Sequence, residues 1–452
     1  MRRWRGLATA AALLLVGRQL SAAPGHQYGF GARATALGGA VSADAGDAAS
    51  LFYNPAQLSL ARGNQLLLGY RGVSPRLRTD QQDADAAGLH SLDGALLGRG
   101  EFLGIPLGFG LGLSLTNGNL SRVDSVTADQ PRWVLKETLP ELLELQAAVS
   151  IRPLPWLALG GGAGFLATTR GGFDVTGNAV FSDGKGAEYD SKLRHSVAAE
   201  LLSARYLSLG AQLRMPPLLP TSPAPLAWSL GFSFKDEAAL NQALQGRLHG
   251  NVDAGFLQVP VEYRFDAHSL VAFQPRQFVL GVSAQPKAWR VNLDVGFEQW
   301  SRYPSPVARS AAHIEAEVPA GLPLALPANT ELPAATSAGF HDRFTWRVGV
   351  ERLLPLSQAS ELALRGGYAY LPSPAPGASD IAQLLDAHEH IFSLGTGVAL
   401  HKPVRWLPHG LELDAFGLYG HLPNRRLARQ GTTFQAKGHS VSAGLTLKLG
   451  GS

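Results

Sequence analysis

Strict alternation of apolar and polar residues over about ten positions constrains this chain more than any other feature. In the segment Arg290–Trp300 one set of side chains is apolar: Val291, Leu293, Val295 and Phe297. The intervening set is polar: Arg290, Asn292, Asp294 and Glu298. A period of two is that of a β-strand, because an amphipathic helix repeats its apolar positions every 3.6 residues. The segment therefore predicts a strand with one apolar face.

The same alternation recurs further along the chain. Four more segments carry it: Phe344–Glu351, Glu361–Tyr370, Leu411–Tyr419 and Ser440–Leu449. Such strands of about 10–12 residues are long enough to cross a bilayer when they are tilted. A water-soluble β-sandwich also alternates in this way, with its polar face turned outward to water. Alternation alone leaves both architectures open.

The connections between these segments alternate between short and long. The short ones run 152–156, 286–289 and 355–360, and the long ones run 173–194, 235–256, 304–340 and 371–389. Short turns at one end and long loops at the other are typical of outer-membrane barrels. Pairing the strands in this way gives about fourteen between Asn64 and Leu449, an even number as barrel closure requires. We therefore predict an all-β fold, a transmembrane antiparallel β-barrel of about fourteen strands.

Composition agrees with a barrel and narrows the chemistry. Charged residues make up 16% of the chain and glycine accounts for 52 of its 452 residues, whereas soluble domains carry about 25% charge. Low charge without a long apolar run is expected when strands alternate between lipid and lumen. The chain has no cysteine, so disulfides, thiolate metal sites and a cysteine nucleophile are excluded.

The first 23 residues have the features of a secretory signal peptide. Arginines near the start precede an apolar stretch from Leu7 to Val16, and Ser21–Ala23 offers small residues for cleavage. The apolar stretch is about ten residues, short of the roughly 20 that a spanning helix needs. The alternative is an uncleaved anchor, which requires a longer apolar run.

Removing this leader changes the charge balance. The whole sequence has 39 Lys and Arg against 35 Asp and Glu, and four basic residues lie in the leader, which leaves 35 of each. Those four are Arg2, Arg3, Arg5 and Arg18. A balanced mature chain argues against a nucleic-acid partner, because such a partner demands an excess of cations.

Aromatic residues cluster at the ends of the predicted strands. The set comprises Trp133, Trp156, Trp228, Trp289, Trp300, Tyr303, Trp346, Tyr368, Tyr370 and Trp406. Amphipathic rings favour the membrane–water boundary, so the group is interpreted as the girdle of a barrel. The alternative is core packing in a soluble domain.

A small-residue segment that ends in a turn lies between the leader and the first strand. Gly31–Ala40 is rich in glycine and alanine, Asp44 and Asp47 follow, and the segment closes on Asn54-Pro55-Ala56. Three later segments complete an ordered set: Gln274–Tyr303, Phe340–Glu351 and Leu364–Gly397. Taken together and in this order, the four segments resemble the FadL family, outer-membrane channels for long-chain fatty acids and other hydrophobic molecules.

The resemblance implies three parts: a signal peptide at 1–23, a plug inside the lumen at 24–62, and a transmembrane β-barrel at 63–452. It implies passive uptake of fatty acids or other hydrophobic small molecules across the outer membrane of a Gram-negative bacterium. The implied route is an apolar groove between extracellular loops, an internal pocket and a movement of the plug. The implied protein is a monomer in contact with outer-membrane lipid, without catalytic activity or cofactor. Two alternatives remain: a related barrel used in surface assembly or secretion, and an outer-membrane lipid hydrolase.

Candidate ligand-binding residues follow from their positions in the strand pattern. Arg170, after the strand Trp156–Thr169, and Arg309, after the Trp300-Ser301 motif, are candidates to bind a fatty-acid carboxylate. The alternative is that both are solvated loop residues. Alternation points Arg365 into the lumen, where an acid such as Glu351 or Glu361 is its expected partner.

Other patterns carry weaker signals. Gly108–Gly112 and Gly160–Gly164 resemble nucleotide-binding loops, but neither opens a helix in a βαβ unit. We interpret their glycines as sites of kinks, bulges or close approach of the plug. His388, Glu389 and His390 lack a second cluster of ligands, so no metal site is predicted.

Two long connections are interpreted individually. Lys235–Gly250 places Ala239, Leu240, Leu244 and Leu248 at helical spacing, which predicts a short amphipathic helix beside the apolar groove. The alternative is a loop that packs on its own neighbours. Pro304–Phe340 is rich in proline and alanine and is predicted to be a loop with little regular structure.

Overall fold

The computed structural model describes the chain from residue 29 to residue 450, with gaps. The described residues are 29–44, 47–84, 86, 88–117, 133, 135–136, 143–176, 194–218, 226–253, 258–304, 309–316, 330–332, 338–379, 384–401, 410–429 and 431–450. The predicted signal peptide at 1–23 and the first residues of the predicted plug lie outside this set.

The described residues form twenty β-strands. They are β1 (Gln65–Thr79), β2 (Gln82–Asp83), β3 (Leu89–Phe102), β4 (Ile105–Asn117), β5 (Leu143–Leu154), β6 (Leu157–Thr176), β7 (Arg194–Leu218), β8 (Leu226–Lys235), β9 (Ala238–Asp253), β10 (Gln258–Gln274), β11 (Arg276–Gln285), β12 (Trp289–Gln299), β13 (Arg309–Ala316), β14 (Thr330–Leu332), β15 (Arg343–Ser357), β16 (Ser360–Leu371), β17 (Ala378–Ser379), β18 (Glu389–Leu400), β19 (Leu411–Arg429) and β20 (Thr432–Gly450).

Helices in the described ranges are few and short. They are α1 (Ala32–Ala36), α2 (Ser50–Tyr53) and two 3₁₀ helices, η1 (Pro55–Ser59) and η2 (Trp300–Arg302). No helix in the described part of the chain is long and apolar enough to span a membrane.

Fourteen of the described strands form a closed antiparallel ring. Their order around the ring is β1, β3, β4, β5, β6, β7, β8, β11, β12, β15, β16, β18, β19 and β20. The ring closes where β1 pairs with β20, with Leu66 opposite Leu449. The prediction of a barrel of about fourteen strands is confirmed, and closure leaves no edge strand in this wall.

The barrel is apolar outside and polar inside. Large apolar side chains are exposed all around the wall, including Leu92, Phe109, Val149, Leu280, Phe344, Leu394 and Leu445, and Leu394 is 72% exposed. Polar and charged side chains on the same strands are buried, including Arg71, Asp93, Gln146, Asn292, Asp294, Glu351, Arg365 and Asp414. A soluble sandwich would show the opposite arrangement, so the structure is that of a transmembrane barrel.

The two ends of the barrel differ. Tight connections at 103–104, 155–156, 286–288 and 358–359 lie at one end, here called the short-turn end. The connections at 118–142, 236–275, 300–342 and 372–388 lie at the other, the long-loop end. The first and last strands meet at the short-turn end, since Gln65 is opposite Gly450.

Strands also fill part of the long-loop end. The region predicted as an amphipathic helix is strand β9, which pairs along its length with β10, so that prediction is wrong. Leu240, Leu244 and Leu248 are four residues apart, a spacing that suits one face of a helix and one face of a strand equally. Gly246 and Gly250 disfavour a helix. The loop predicted at 304–340 contains two short strands, β13 and β14, with β13 paired to β10.

The aromatic girdle is confirmed in part. Trp156, Trp289 and Trp346 are exposed on the outer wall, and Trp228, Tyr368 and Tyr370 are half-buried. Trp133, Trp300 and Tyr303 are buried at the long-loop end, so their assignment to the girdle is wrong. Trp300 lies an even number of residues after Asp294 and Glu298, which places it on the inward face of the strand it follows. Trp406 lies outside the described residues.

Candidate functional site: the interior of the barrel

An inner segment, residues 29–44 and 47–62, folds inside the ring of strands. It carries α1, α2 and η1, and its residues from Phe30 to Ala61 are mostly buried. Its hydrogen bonds reach strands on opposite sides of the barrel. Ala32 N–H donates to Thr446 Oγ1 on β20, and Ser42 N–H donates to Asp294 Oδ2 on β12. The segment therefore contacts well-separated strands of the ring from inside the lumen.

The motif Asn54-Pro55-Ala56 anchors this segment to the wall. Asn54 Oδ1 accepts the N–H of Ala56 at 3.1 Å and so caps η1. Asn54 Nδ2 donates to Ser42 O at 2.7 Å and to Ala211 O of β7 at 3.1 Å. Pro55 occupies the first position of η1, where a missing N–H costs nothing. One asparagine therefore joins two parts of the inner segment to a barrel strand.

Glycines in the wall make room for this motif. A Cβ added at Gly160 would lie 2.5 Å from the backbone of Pro55 and Ala56. A Cβ at Gly210 would collide with Asn54 Oδ1. The run Gly160–Gly164 lies in strand β6. Its first glycine, Gly160, faces the inner segment, so its resemblance to a nucleotide loop is superficial.

A buried ionic network joins the inner segment to five barrel strands. Arg33 of α1 donates through Nη2 to Asp44 Oδ2 at 2.6 Å and to Glu351 Oε2 of β15 at 2.9 Å. Arg290 of β12 donates to Glu351 at 2.6 Å. Arg365 of β16 donates through Nε to Glu351 Oε1 at 2.7 Å. A single carboxylate therefore holds three guanidinium groups.

The network continues toward β19 and β20. Arg365 also donates to Asp414 Oδ1 at 2.5 Å and to Glu412 Oε1 at 3.3 Å. Lys448 of β20 pairs with Glu412. Four cations (Arg33, Arg290, Arg365, Lys448) thus face four carboxylates (Asp44, Glu351, Glu412, Asp414). Removing any one member leaves an uncompensated buried charge, which is strongly unfavourable.

Two cavities lie inside the barrel. The first, here called the inner cavity, has a volume of about 80 Å³ and separates the inner segment from the wall. Its apolar lining is Phe52, Val279, Ala369, Leu371, Ile391 and Leu418, and its cations are Lys235 and Arg347. Arg347 is loosely paired, since its Nη2 lies 3.9 Å from Glu298 Oε1.

The second, the outer cavity, has a volume of about 50 Å³ and lies nearer the long-loop end. It shares Gln277 and Leu371 with the inner cavity, so the two are neighbours. The ion pairs Lys136–Glu389, at 2.6 Å, and Arg343–Glu298, at 2.7 Å, contribute to its lining.

An aromatic cluster lies beside the outer cavity. Phe273, Trp300, Tyr303 and Phe340 pack together, with the rings of Tyr303 and Phe340 stacked 4.4 Å apart. Trp300 lines the outer cavity and donates through Nε1 to Glu298 Oε2 at 2.8 Å. Burial raises the pKa of Tyr303 well above its ordinary value, so its phenol stays neutral.

The sequence-predicted residues occupy different places. Arg365 and Glu351 are buried partners in the ionic network, whereas Glu361 is half-buried on β16. Arg170 lies in β6 and Arg309 begins β13, but both side chains lie outside the described part of the structure. Their role as carboxylate ligands stays a prediction. No group of three or more potential metal ligands occurs among the described residues.

Several interior residues were not predicted from the sequence. Arg33 and Lys448 complete the ionic network, although Arg33 lies in the small-residue segment and Lys448 in the last alternating strand. Arg343 and Arg347 flank the cavities. Both lie an even number of residues before Glu351 on β15, as does Thr345, so all of them are on the inward face of the strand.

A closed fourteen-strand barrel with an internal N-terminal segment is a class of fold found among outer-membrane channels, and comparison with solved structures agrees. The chain is similar to a FadL homologue from Pseudomonas aeruginosa, with a TM-score of 0.50, 14% identity and coverage of 96% of this chain and 98% of that one. It is similar to the toluene transporter TodX of P. putida, with a TM-score of 0.52, 16% identity and coverage of 94% and 99%. A third match is the CymD monoaromatic hydrocarbon channel, with a TM-score of 0.51, 13% identity and coverage of 93% and 97%.

These likenesses define the fold over nearly the whole chain: it is the fold of the FadL-type channels. A scan of family models and a search of curated proteins gave no match to the sequence.

Proposed function

We propose that this protein is a FadL-type channel in the outer membrane of a Gram-negative bacterium, and that it admits hydrophobic small molecules by passive diffusion. The neighbours in fold are channels for toluene and monoaromatic hydrocarbons and a FadL homologue. The observation that supports the proposal is that the aromatic cluster adjoins the outer cavity, which adjoins the inner cavity beside the inner segment.

The proposed route starts at the long-loop end. A hydrophobic molecule enters beside the buried aromatic cluster and moves along the two cavities, and each step keeps apolar surface away from water. Burial of each CH₂ is worth about 0.8 kcal/mol, so a long acyl chain binds with few polar contacts. The inner segment acts as the plug, and its displacement opens the inner cavity toward the short-turn end. No catalytic step and no cofactor takes part.

The ligand class follows from the lining. Six apolar side chains suit an acyl chain or an aromatic ring, and Arg347, being loosely paired, is placed to attract a carboxylate. The proposed ligands are therefore long-chain fatty acids or aromatic hydrocarbons. Arg170 and Arg309 remain further candidates for the carboxylate site.

The test is uptake of a labelled long-chain fatty acid and of a labelled aromatic hydrocarbon by cells with and without the protein. Correct insertion is checked by heat-dependent mobility on electrophoresis. We expect faster uptake of at least one ligand in cells that carry the protein. Equal uptake of both ligands in cells with and without inserted protein would overturn the proposal.

A second function, assembly or secretion at the cell surface, is favoured by one observation. The lumen beside the short-turn end is filled by the eight-member ionic network, and a barrel that no longer transports has no need of an apolar passage there. The uptake experiment separates the two, since a protein used for assembly or secretion would not accelerate the entry of either ligand.

A further inference from the structure

A basic groove lies on the outer wall of the barrel. It is formed where β1, β19 and β20 approach the long-loop end and has a volume of about 800 Å³. The residues that matter are Arg76, Arg78, Tyr419, His421, Lys437 and His439. None of them takes part in the interior site.

The strand register places these side chains on one face. His439 of β20 is directly opposite Arg76 of β1 and His421 of β19. Lys437 is directly opposite Arg78. Directly opposed residues on neighbouring strands point to the same side of a sheet. The groove therefore gathers cations and imidazoles from three strands in two adjacent rows.

That face is the outer one. Leu77 and Leu422, the neighbours of these residues in sequence, are buried at about 1% exposure and pack in the interior. Arg76, Arg78 and His421 are exposed. Tyr419, one row closer to the middle of the barrel, is exposed and lies next to the exposed Val441. The basic groove thus borders the apolar exterior directly.

The groove has an excess of positive charge. It has three cations and one lining carboxylate, Asp83, which pairs with Arg78 at 2.9 Å in an exposed position. Arg76 and Lys437 make no ion pair with any described residue. Tyr419 packs against both imidazoles, with ring centroids 6.4 Å from His421 and 6.0 Å from His439. The two imidazoles lie beside the cations, and each has an N–H group that can donate a hydrogen bond.

We propose that this groove binds the phosphate-bearing headgroup of a membrane lipid in the leaflet at the long-loop end. Lipid chains would lie against Tyr419 and Val441, and the phosphate would accept hydrogen bonds from Arg76, Arg78 and Lys437. A cationic groove immediately above an apolar wall matches a lipid whose anionic group sits above its acyl chains. Free phosphate offers the same anion but gains nothing from the apolar border.

The experiment uses the purified full-length protein in neutral detergent and native mass spectrometry to measure lipid affinity. The probes are phosphatidic acid, diacylglycerol with the same acyl chains, diphosphorylated lipid A and inorganic phosphate. The test variant is Arg76→Gln/Arg78→Gln/Lys437→Gln. The matched control is Arg152→Gln/Lys287→Gln/Arg352→Gln, which removes three charges near the short-turn end. Folding of each variant is checked by heat-dependent electrophoretic mobility.

The proposal predicts that phosphatidic acid binds at least tenfold more tightly than diacylglycerol, that lipid A also binds, and that millimolar inorganic phosphate does not displace either. The test variant loses at least tenfold in affinity and the control keeps it. The proposal is overturned by equal affinity of wild type and test variant, by an equal loss in the control, or by displacement with inorganic phosphate alone. If the triple variant fails to fold, Arg76→Gln alone must lower the affinity by at least threefold, and an unchanged affinity contradicts the proposal.

Discussion

Arg33 and Glu351 form a buried ion pair that joins the inner segment to the barrel wall. Nη2 of Arg33 lies 2.9 Å from Oε2 of Glu351, and the two side chains are 8% and 1% exposed. Glu351 also accepts hydrogen bonds from Arg290 and Arg365. The position of the inner segment therefore depends on a carboxylate that three cations share.

Replacing that carboxylate should release the inner segment. Glu351→Gln leaves three guanidinium groups facing one another in a buried site, and the loss of one partner of a buried pair costs about 3–5 kcal/mol. We expect the variant to show ion conductance in planar bilayers above that of the wild type. The control is Glu361→Gln, a change of the same residue type at a half-buried position of β16. Equal conductance of Glu351→Gln and wild type would show that the ion pair does not hold the segment.

A methyl group placed against Asn54 should also release the inner segment, because it clashes with the Asn54 side chain. Gly210→Ala places a Cβ against Asn54 Oδ1, and overpacking of this kind costs about 1–3 kcal/mol. We expect faster proteolysis within residues 29–62. Gly417→Ala is the matched control, because a Cβ at Gly417 meets nothing within 4 Å. Identical cleavage rates in both variants would contradict the anchoring role of the Asn54-Pro55-Ala56 motif.

Replacing Arg347 should affect the uptake of fatty acids but not the uptake of aromatic hydrocarbons. Arg347→Gln removes the loosely paired cation of the inner cavity, and a hydrogen bond to a charged group is worth about 1.5–3 kcal/mol. We expect uptake of a long-chain fatty acid to fall about tenfold while uptake of an aromatic hydrocarbon is unchanged. Arg352→Gln, on the outer wall at 4.9 Å from the ring of Trp289, is the control. An equal fall for both ligands would assign Arg347 a structural role instead.

The loop that follows β16 should loosen in acid. Burial, reinforced by the positive charge of Arg425, lowers the pKa of His388 below its ordinary value of 6.5. The neutral ring accepts the N–H of Ser373 at Nδ1, at 3.1 Å. A histidine whose folded pKa is lowered contributes fully above the unfolded pKa, and its contribution is lost as the pH falls below about 6.5.

Amide hydrogen exchange at Ser373 measures this effect. After correction for the intrinsic rate, exchange should be faster at pH 5 than at pH 7.5 in the wild type. The variant His388→Gln does not titrate in this range and should exchange equally at both pH values. Unchanged protection in the wild type would show that His388 does not hold the loop.

Much of the barrel could be predicted from the sequence because its signal is local. Each strand exposes one face to lipid, so alternation such as that in Val291–Phe297 predicts a strand. The lengths of the connections predict at which end of the barrel each strand begins. The same alternation predicts that the side chains of Arg365 and Glu351 point into the lumen. The ring of fourteen strands follows from these local features.

Other features depended on contacts that the local pattern does not carry. Leu240, Leu244 and Leu248 fit a helix and a strand equally, and only pairing with β10 decides in favour of β9. Trp300 and Tyr303 follow a strand end, as girdle residues do, yet the chain turns inward there and buries them. The ionic network joins residues from 33 to 448, and such a set becomes visible only when the barrel closes.

The most direct test of the account is uptake through a barrel whose inner segment is reversibly fixed to the wall. The chain has no cysteine, and a Cβ built at Gly281 of β11 lies 3.0 Å from the Cβ of Ser42 and would collide with Asp294 Oδ1. Ser42→Cys/Gly281→Cys therefore brings two thiols within reach of a disulfide once the side chain of Asp294 shifts away. Entry of a labelled fatty acid and of a labelled aromatic hydrocarbon is measured in the same cells before and after reduction, with the cross-link verified by mass spectrometry. We expect uptake to stop in the oxidised protein and to return on reduction. Uptake at the same rate in both states would contradict the proposed role of the inner segment as the plug.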